Sequence, residues 1–183
     1  MHFKLLNKYY FINTFDTNNF KKLERTTIII YRNYTSPKKD IDKILKLKKF
    51  FKKKGNKFLL ANDFKLALKL RLDGVYLPSF NKKFQLKKFQ NFKDFIIVGS
   101  AHSLKEIRVK ERQNVEQIFL SPLFKTTKSN SELGIIKFNN LSKLTRKPLI
   151  ALGGINENNI KKLKLINING FAGITYFNKK KIS

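Results

Sequence analysis

The hydrophobic positions of this chain fall into short runs, separated by longer segments in which apolar residues recur at helical spacing. The runs predict strands at residues 9–15, 26–31, 58–61, 74–77, 95–98, 117–120, 149–152 and 170–176. The segments between them predict helices at 18–24, 40–54, 63–71 and 138–145, a loose helix at 84–89, and helices beginning at Ser103 and near Asn156. Because several runs have no polar alternation, we expect both of their faces to be buried, as in a parallel sheet.

Eight strands that alternate with helices predict parallel pairing with helical crossovers. Eight units favour an α/β fold of the compact (β/α)8 TIM barrel type, with an open doubly wound sheet as the alternative. The 183 residues suit one domain, predicted at 1–178 with a basic tail at 179–183. A typical barrel has roughly 250 residues, and here the C-terminal helix is missing. We expect the resulting apolar strip beside strands eight and one to be covered by a partner subunit of a homo-oligomer or by the N-terminal segment.

Residues 147–156 predict a buried strand, a turn at Gly153 and Gly154, and a helix capped by Asn156. A glycine turn that leads into a helix N-terminus presents unpaired N–H groups and the positive end of the helix dipole. This arrangement suits a phosphate group. Many strand-to-helix turns contain glycine and bind nothing, so Gly153 and Gly154 indicate a phosphate site only together with the motifs before and after them.

Composition narrows the function classes. The formal net charge is +28, and only six of the 40 basic residues are arginine. The lysines are spread along the chain and fall mostly on polar faces of predicted helices, so we favour codon bias over a specific nucleic-acid surface. The absence of cysteine excludes disulfides, thiolate metal sites and a cysteine nucleophile, and it fits a cytoplasmic enzyme. No apolar run reaches the roughly 20 residues of a membrane span.

Polar residues follow most of the predicted strands and should meet at the carboxyl end of the barrel. They are Arg32, Asn62, Asp63, 78–81, Ser100, His102, 121–128, Gly153, Gly154 and Thr175. Arg32 offers a fork of donors to phosphate, or it is a surface arginine. Asp63 can ligate Mg2+ or cap the helix that follows it, and the two roles can coexist. His102 can move protons near neutral pH or be a structural histidine, and Lys128 reaches a phosphate from its loop or is solvated there.

The order of these motifs resembles the thiamine phosphate synthase and thiazole tautomerase superfamily from about residue 26 to 175. The resemblance is carried by Arg32, Asn62-Asp63, residues 73–77, Gly99-Ser100-Ala101-His102-Ser103, residues 121–128 and residues 151–155. It implies a (β/α) barrel. In the synthases, a pyrimidine diphosphate loses pyrophosphate, and the nitrogen of a thiazole phosphate captures the cation that remains.

The resemblance also implies roles for individual residues. Arg32 and Asn62 would hold the pyrophosphate, Asp63 would help to bind Mg2+, and Ser100 and Lys128 would contact the departing pyrophosphate. Gly153, Gly154 and Thr175 would lie at the thiazole phosphate, with Thr126 as a further substrate contact. The implied partners are phosphorylated pyrimidine and thiazole molecules, and neither a membrane nor a specific nucleic acid is expected.

The chain departs from the synthase pattern in several places. Where the synthases have Gly-Gln-Glu-Asp after strand four, this chain has Pro78-Ser79-Phe80-Asn81, so the second metal-binding carboxylate is absent. The glutamine and lysine that flank the family arginine appear as Ile30 and Tyr34. Synthase-like coupling ranks first. Its alternatives are a tautomerase-like proton shuttle by His102, which needs no metal, and a non-catalytic barrel that binds polyanions and has a strand-end pocket too small for a ligand.

Overall fold

A computed structural model describes residues 6–32, 34, 41–84, 94–127 and 131–177 of the chain. Its strands pair in parallel, in sequence order, and β8 pairs with β1 to close the barrel. The strands are β1 Asn7–Ile12, β2 Ile28–Tyr31, β3 Phe58–Ala61, β4 Gly74–Leu77, β5 Ile96–Ala101, β6 Gln117–Leu120, β7 Leu149–Leu152 and β8 Gly170–Ala172. The closed barrel confirms the predicted α/β TIM-barrel architecture and removes the open sheet as an alternative.

Helices connect most of the strands on the outside of the barrel. They are α1 Thr17–Lys21, α2 Ile41–Lys54, α3 Phe64–Lys69, α4 Leu104–Arg112 and α5 Gly134–Ser142, with a 3-10 helix at Ile160–Leu165. Of the helices in the described part of the chain, none combines the length and the apolar character needed to cross a membrane. The loose helix predicted at 84–89 lies outside the described residues, except for Phe84.

The core has two layers because successive side chains of each strand point to opposite faces. The inner layer fills the barrel with Tyr9, Phe11, Tyr76, Phe119 and smaller apolar residues. The rings of Phe11 and Tyr76 meet edge to face at 5.1 Å, and those of Tyr9 and Phe119 do so at 4.9 Å. The outer layer lies between the strands and the helices. The barrel is therefore packed along its axis, and space for a ligand lies at its rim.

Side-chain caps begin two of the helices where the sequence predicts. The Asp63 carboxylate accepts a hydrogen bond from the Leu66 amide at the start of α3, and the Ser103 hydroxyl accepts one from the Glu106 amide at the start of α4. The Glu106 carboxylate in turn accepts a hydrogen bond from the His102 amide, so the backbone of His102 is held next to the Ser103 cap. Each cap therefore fixes a helix start directly behind a rim residue.

The predicted helix cap at Asn156 is wrong, because the helical segment here is a 3-10 helix and Asn159 is its N-cap residue. The Asn156 side chain accepts hydrogen bonds from the amides of Asn158 and Asn159, and the Asn159 side chain donates to the Gly154 carbonyl. Asparagine side chains that bond to nearby backbone compete with helix formation. The chain therefore makes a turn here, and the 3-10 helix begins only at Ile160.

The ends of two other elements also differ from expectation. Strand β8 stops at Ala172 rather than at residue 176, and a turn follows it. Helix α5 spans Gly134–Ser142, four residues earlier than the predicted start at 138. The effect on the site is that Thr175 lies in a turn beyond β8 instead of within the strand.

Aromatic residues of this C-terminal turn cover the outer face of β8 and β1. The ring of Phe177 lies 5.0 Å from that of Tyr10, and the ring of Tyr176 lies 5.0 Å from that of Phe171. Tyr10 and Phe171 are accordingly buried. Residues of the C-terminal turn therefore cover this part of the strip, and additional cover by a partner subunit or by the N-terminal segment stays a prediction. The predicted boundary between residues 178 and 179 lies outside the described residues.

Candidate active site

A cavity of about 670 Å³ opens at the carboxyl ends of the strands. Its lining includes residues predicted from the sequence, namely Arg32, His102, Thr126, Gly153, Gly154 and Thr175. Ligand pockets usually have volumes of about 300–1,000 Å³, so this cavity has the size of a small-molecule site. It does not show the undersized pocket expected of a non-catalytic barrel.

The Gly153-Gly154 turn forms one wall of the cavity and supports the loop that follows β6. Both glycines have positive φ angles, +96° and +69°, and a Cβ at Gly153 would lie 2.8 Å from Pro122 Cα. The Phe124 amide donates to the Gly153 carbonyl at 3.1 Å. The turn therefore needs glycine because another stretch of backbone packs against it. The helix N-terminus predicted to follow this turn is absent, so any anion bound here depends on backbone amides of the turn and on side chains.

His102 is held by the strand-end residue Ser121. Its Nδ1 lies 2.8 Å from the Ser121 carbonyl oxygen and 3.1 Å from the Ser121 hydroxyl. A carbonyl oxygen only accepts, so this contact favours the tautomer with the proton on Nδ1. In the neutral ring, Nε2 is then the acceptor nitrogen, and His102 lines the cavity. This orientation suits a proton acceptor or a hydrogen-bonding partner for a ligand.

Arg32 lies over an aromatic residue on the cavity floor. Its guanidinium carbon is 5.0 Å from the centre of the Phe11 ring, a cation–π geometry. Its backbone amide donates to the Ile12 carbonyl, which fixes the end of β2 against β1. Phe11 also lines the cavity, although sequence reasoning did not select it. The alternation of β1 residues between the interior and exterior of the barrel was the signal that could have found it.

Ser100 lies below the cavity rather than on its wall. Its side chain is buried and hydrogen-bonds to Tyr76 inside the barrel. Burial raises the pKa of Tyr76, against the opposing effects of the Ser100 hydrogen bond and the nearby Arg32. Tyr76 therefore stays neutral at physiological pH. Contact between Ser100 and pyrophosphate stays a prediction.

Asn62 and Asp63 line a separate groove of about 750 Å³ beside the cavity. The groove and the cavity share no lining residue, but they lie at the ends of neighbouring strands, since Arg32 follows β2 and Asn62 follows β3. The Asn62 amide oxygen accepts a hydrogen bond from Asn81 at 2.8 Å. The ring of Phe80 packs edge to face on that of Tyr34 at 5.6 Å. The rim around Asp63 thus has amide and aromatic groups at positions where the resemblance implies charged ones.

The described residues contain no cluster of three or more His, Asp or Glu side chains able to hold a metal ion. One Asp63 oxygen already caps α3. Mg2+ is commonly bound by one or two carboxylates together with substrate phosphates. The donors present therefore fit Mg2+ only if a bound diphosphate supplies further oxygens.

The loop that follows β6 brings further polar residues to the cavity. The Glu132 carboxylate accepts a hydrogen bond from the Lys125 amide at 2.6 Å, which ties the two ends of the loop together. Glu132 and Lys137 both line the cavity, and neither was predicted. The position of Glu132 follows from this loop closure, which the spacing of residues along the sequence does not reveal, and Lys137 lies in the first turns of α5. Lys128, the predicted loop lysine, lies outside the described residues.

Fold and cavity together define a compact (β/α)8 barrel whose candidate site lies at the carboxyl ends of its strands. The family model of thiamine monophosphate synthase matches residues 20–177 of this chain. The chain therefore belongs to the thiamine-phosphate synthase family, a family of transferases in thiamine biosynthesis. This confirms the resemblance drawn from the rim motifs.

Individual relatives agree with this assignment. The "Putative thiamine-phosphate synthase 2" of Aquifex aeolicus is 35% identical over 143 residues, which cover 76% of each chain. A thiamine-phosphate synthase of Prochlorococcus marinus is 32% identical over 151 residues, covering 81% of this chain and 44% of that longer protein. Among solved structures, a thiamine phosphate pyrophosphorylase of Pyrococcus furiosus superposes with a TM-score of 0.71 at 23% identity, covering 92% of this chain and 85% of the other. That last likeness supports the fold.

Proposed function

We propose that this protein couples hydroxymethylpyrimidine diphosphate to thiazole phosphate and releases pyrophosphate. The observation that carries the proposal is the shared cavity of Arg32, His102, Thr126, Gly154 and Thr175, with the Asn62–Asp63 groove at the end of the strand next to that of Arg32. In this reaction the bond between the pyrimidine methylene carbon and the diphosphate oxygen breaks. The thiazole nitrogen then forms the new C–N bond, and the electron pair leaves with pyrophosphate.

The proposed roles follow from position. Arg32 binds the diphosphate because its guanidinium supplies paired donors, and stacking on Phe11 limits the directions in which it can point. The turn at Gly154, together with Thr126 and Thr175, binds the thiazole phosphate. Asp63 would hold Mg2+ together with diphosphate oxygens. When bound, the ion neutralises the negative charge that develops on the leaving group.

Binding at two adjacent depressions accounts for most of the catalysis in this proposal. Holding both substrates in line replaces a bimolecular encounter by an effectively unimolecular step. Positive groups of the protein that contact the leaving pyrophosphate favour charge separation at the methylene carbon. No protein group has to move a proton to make the C–N bond, so His102 serves here as a binding residue.

The geometry of His102 supports a second candidate, a proton shuttle on a thiazole carboxylate phosphate. With Nδ1 held by the Ser121 carbonyl, Nε2 is the nitrogen that would take and return the proton. This reaction needs no metal. The phosphate would bind at the Gly154 turn as in the first proposal.

One set of assays separates the two proposals. The protein is incubated with both thiamine precursors, with and without Mg2+, and thiamine phosphate is measured by chromatography. The synthase proposal predicts Mg2+-dependent product that is retained in part by His102→Ala. Absence of product, together with isomerisation of the thiazole carboxylate phosphate that is lost in His102→Ala, would reject the synthase in favour of the shuttle.

A further inference from the structure

A fully buried lysine lies beneath the loop that follows β4. Lys110, in the last turn of α4, is 0% exposed. Its Nζ donates to the carbonyl oxygens of Pro78 and Asn81, both at 2.8 Å, and to the Gln113 side-chain oxygen at 2.9 Å. An ammonium group has three donors, so all three are used.

Gln113 extends this support along the loop. It is 1% exposed, and its Nε2 donates to the carbonyl oxygens of Asn81 and Lys83, both at 3.0 Å. Gly99 leaves room for the lysine stem, since a Cβ at Gly99 would lie 2.7 Å from Lys110 Cδ. A loop that follows a strand usually bonds to water on one side. Here two buried side chains take the place of that water.

The supported loop is connected to the proposed diphosphate site by one hydrogen bond. Asn81 Nδ2 donates to Asn62 Oδ1 at 2.8 Å, and the Asn62 amide donates to the Tyr76 carbonyl at 2.8 Å. Asn62 has a positive φ of 60°, so its backbone is held in an uncommon conformation for a non-glycine residue. Because Oδ1 accepts from Asn81, the Nδ2 donors of Asn62 are the atoms suited to phosphate oxygens.

We propose that Lys110 is a positioning residue for the diphosphate substrate, acting through the 78–83 loop, Asn81 and Asn62. The inference rests on the proposed synthase function, because that function places the diphosphate at Asn62. Loss of the lysine leaves two buried carbonyl oxygens without their charged donor, so the loop shifts and the Asn81–Asn62 bond no longer fixes the amide. The thiazole phosphate, bound at the Gly154 turn, does not depend on this chain of contacts.

The test compares Lys110→Met with a matched control. Lys48→Met removes a lysine whose Nζ also donates to a carbonyl oxygen, that of Leu70, at 2.8 Å on the outside of the barrel. We expect Lys110→Met to raise KM for the pyrimidine diphosphate about tenfold and to leave KM for thiazole phosphate unchanged. Lys48→Met should change neither. A KM for the diphosphate equal to that of the wild type, or an equal rise for both substrates, would overturn the inference.

A second variant covers the case in which Lys110→Met does not fold. Asn81→Ala keeps Lys110 and the loop carbonyls but removes the bond to Asn62, so it should raise the same KM. Calorimetric binding of pyrophosphate with Mg2+ separates this inference from the synthase proposal. If the wild type binds pyrophosphate but makes no product, and both Lys110→Met and Asn81→Ala weaken that binding, the positioning role is supported while the synthase proposal fails. If the wild type forms product and neither variant has an effect, the inference is overturned and the synthase proposal stands. If the wild type neither binds pyrophosphate nor forms product, the inference and the synthase proposal are both overturned.

Discussion

Replacing Gly154 by alanine should push the loop after β6 away from the cavity. Gly154 has a φ of +69°, and a Cβ there would lie 2.6 Å from the Phe124 carbonyl oxygen and would also crowd that of Lys125. Gly134 provides a matched control. Its φ is +65°, but a Cβ there would meet no atom within 4 Å. The two substitutions therefore share the backbone strain and differ in the crowding.

The magnitudes follow from these two contributions. Placing alanine in the left-handed region costs about 1 kcal/mol at either position. Crowding against backbone adds about 1–3 kcal/mol at Gly154 only. We therefore expect the free energy of unfolding to fall by about 1 kcal/mol in Gly134→Ala and by about 2–4 kcal/mol in Gly154→Ala. For a chain of this size each kcal/mol lowers Tm by roughly 2–4 °C.

Urea unfolding followed by far-ultraviolet circular dichroism measures both free energies, and steady-state kinetics measures KM for thiazole phosphate. Gly154→Ala should raise that KM, while Gly134→Ala should leave it unchanged. Equal losses of stability in the two variants would refute the claim that the β6 loop packs on the glycine turn. A normal KM in a destabilised Gly154→Ala would refute its place in the phosphate site.

Three further results are expected. Asp63→Asn keeps an N-cap, so the free energy of unfolding should change by no more than about 0.5 kcal/mol. Product formation at limiting Mg2+ should fall at least about tenfold. Undiminished product formation would show that Asp63 does not bind the metal. Phe11→Leu removes the ring under Arg32 and should raise KM for the diphosphate roughly two- to fivefold, which kinetics with that substrate checks. Burial lowers the pKa of Lys110 from 10.5 to about 8, against the opposing charge of Glu106, so unfolding takes up a proton between these values. The free energy of unfolding of the wild type should then rise with pH from 8 to 10.5 relative to Lys110→Met, and urea titrations showing a fall would contradict this sign.

The strands were predictable wherever burial on both faces leaves a continuous apolar run. Strands β3, β4, β6 and β7 have the bounds expected from the sequence. The helix start at Ser103 was equally clear because its cap is local. In these segments the preferences of neighbouring residues agree with their place in the barrel, so local reasoning suffices.

The misses have a common physical origin in contacts that the sequence pattern does not display. The turn after β7 depends on asparagine side chains that bond to backbone, where helical spacing of the later apolar residues suggested a helix. Lys110 was not singled out, since lysines are abundant and fall mostly on polar faces of predicted helices. Its burial depends on the glycine at position 99 and on loop carbonyls more than twenty residues away.

A crystal structure of the protein grown with thiamine phosphate, pyrophosphate and Mg2+ tests the central claim most directly. The account predicts the phosphate of thiamine phosphate at the Gly154 turn, pyrophosphate between Arg32 and Asn62, and the ion within reach of Asp63. Ligands bound on the helical exterior, or a phosphate and a pyrophosphate at unconnected places on the barrel, would contradict it.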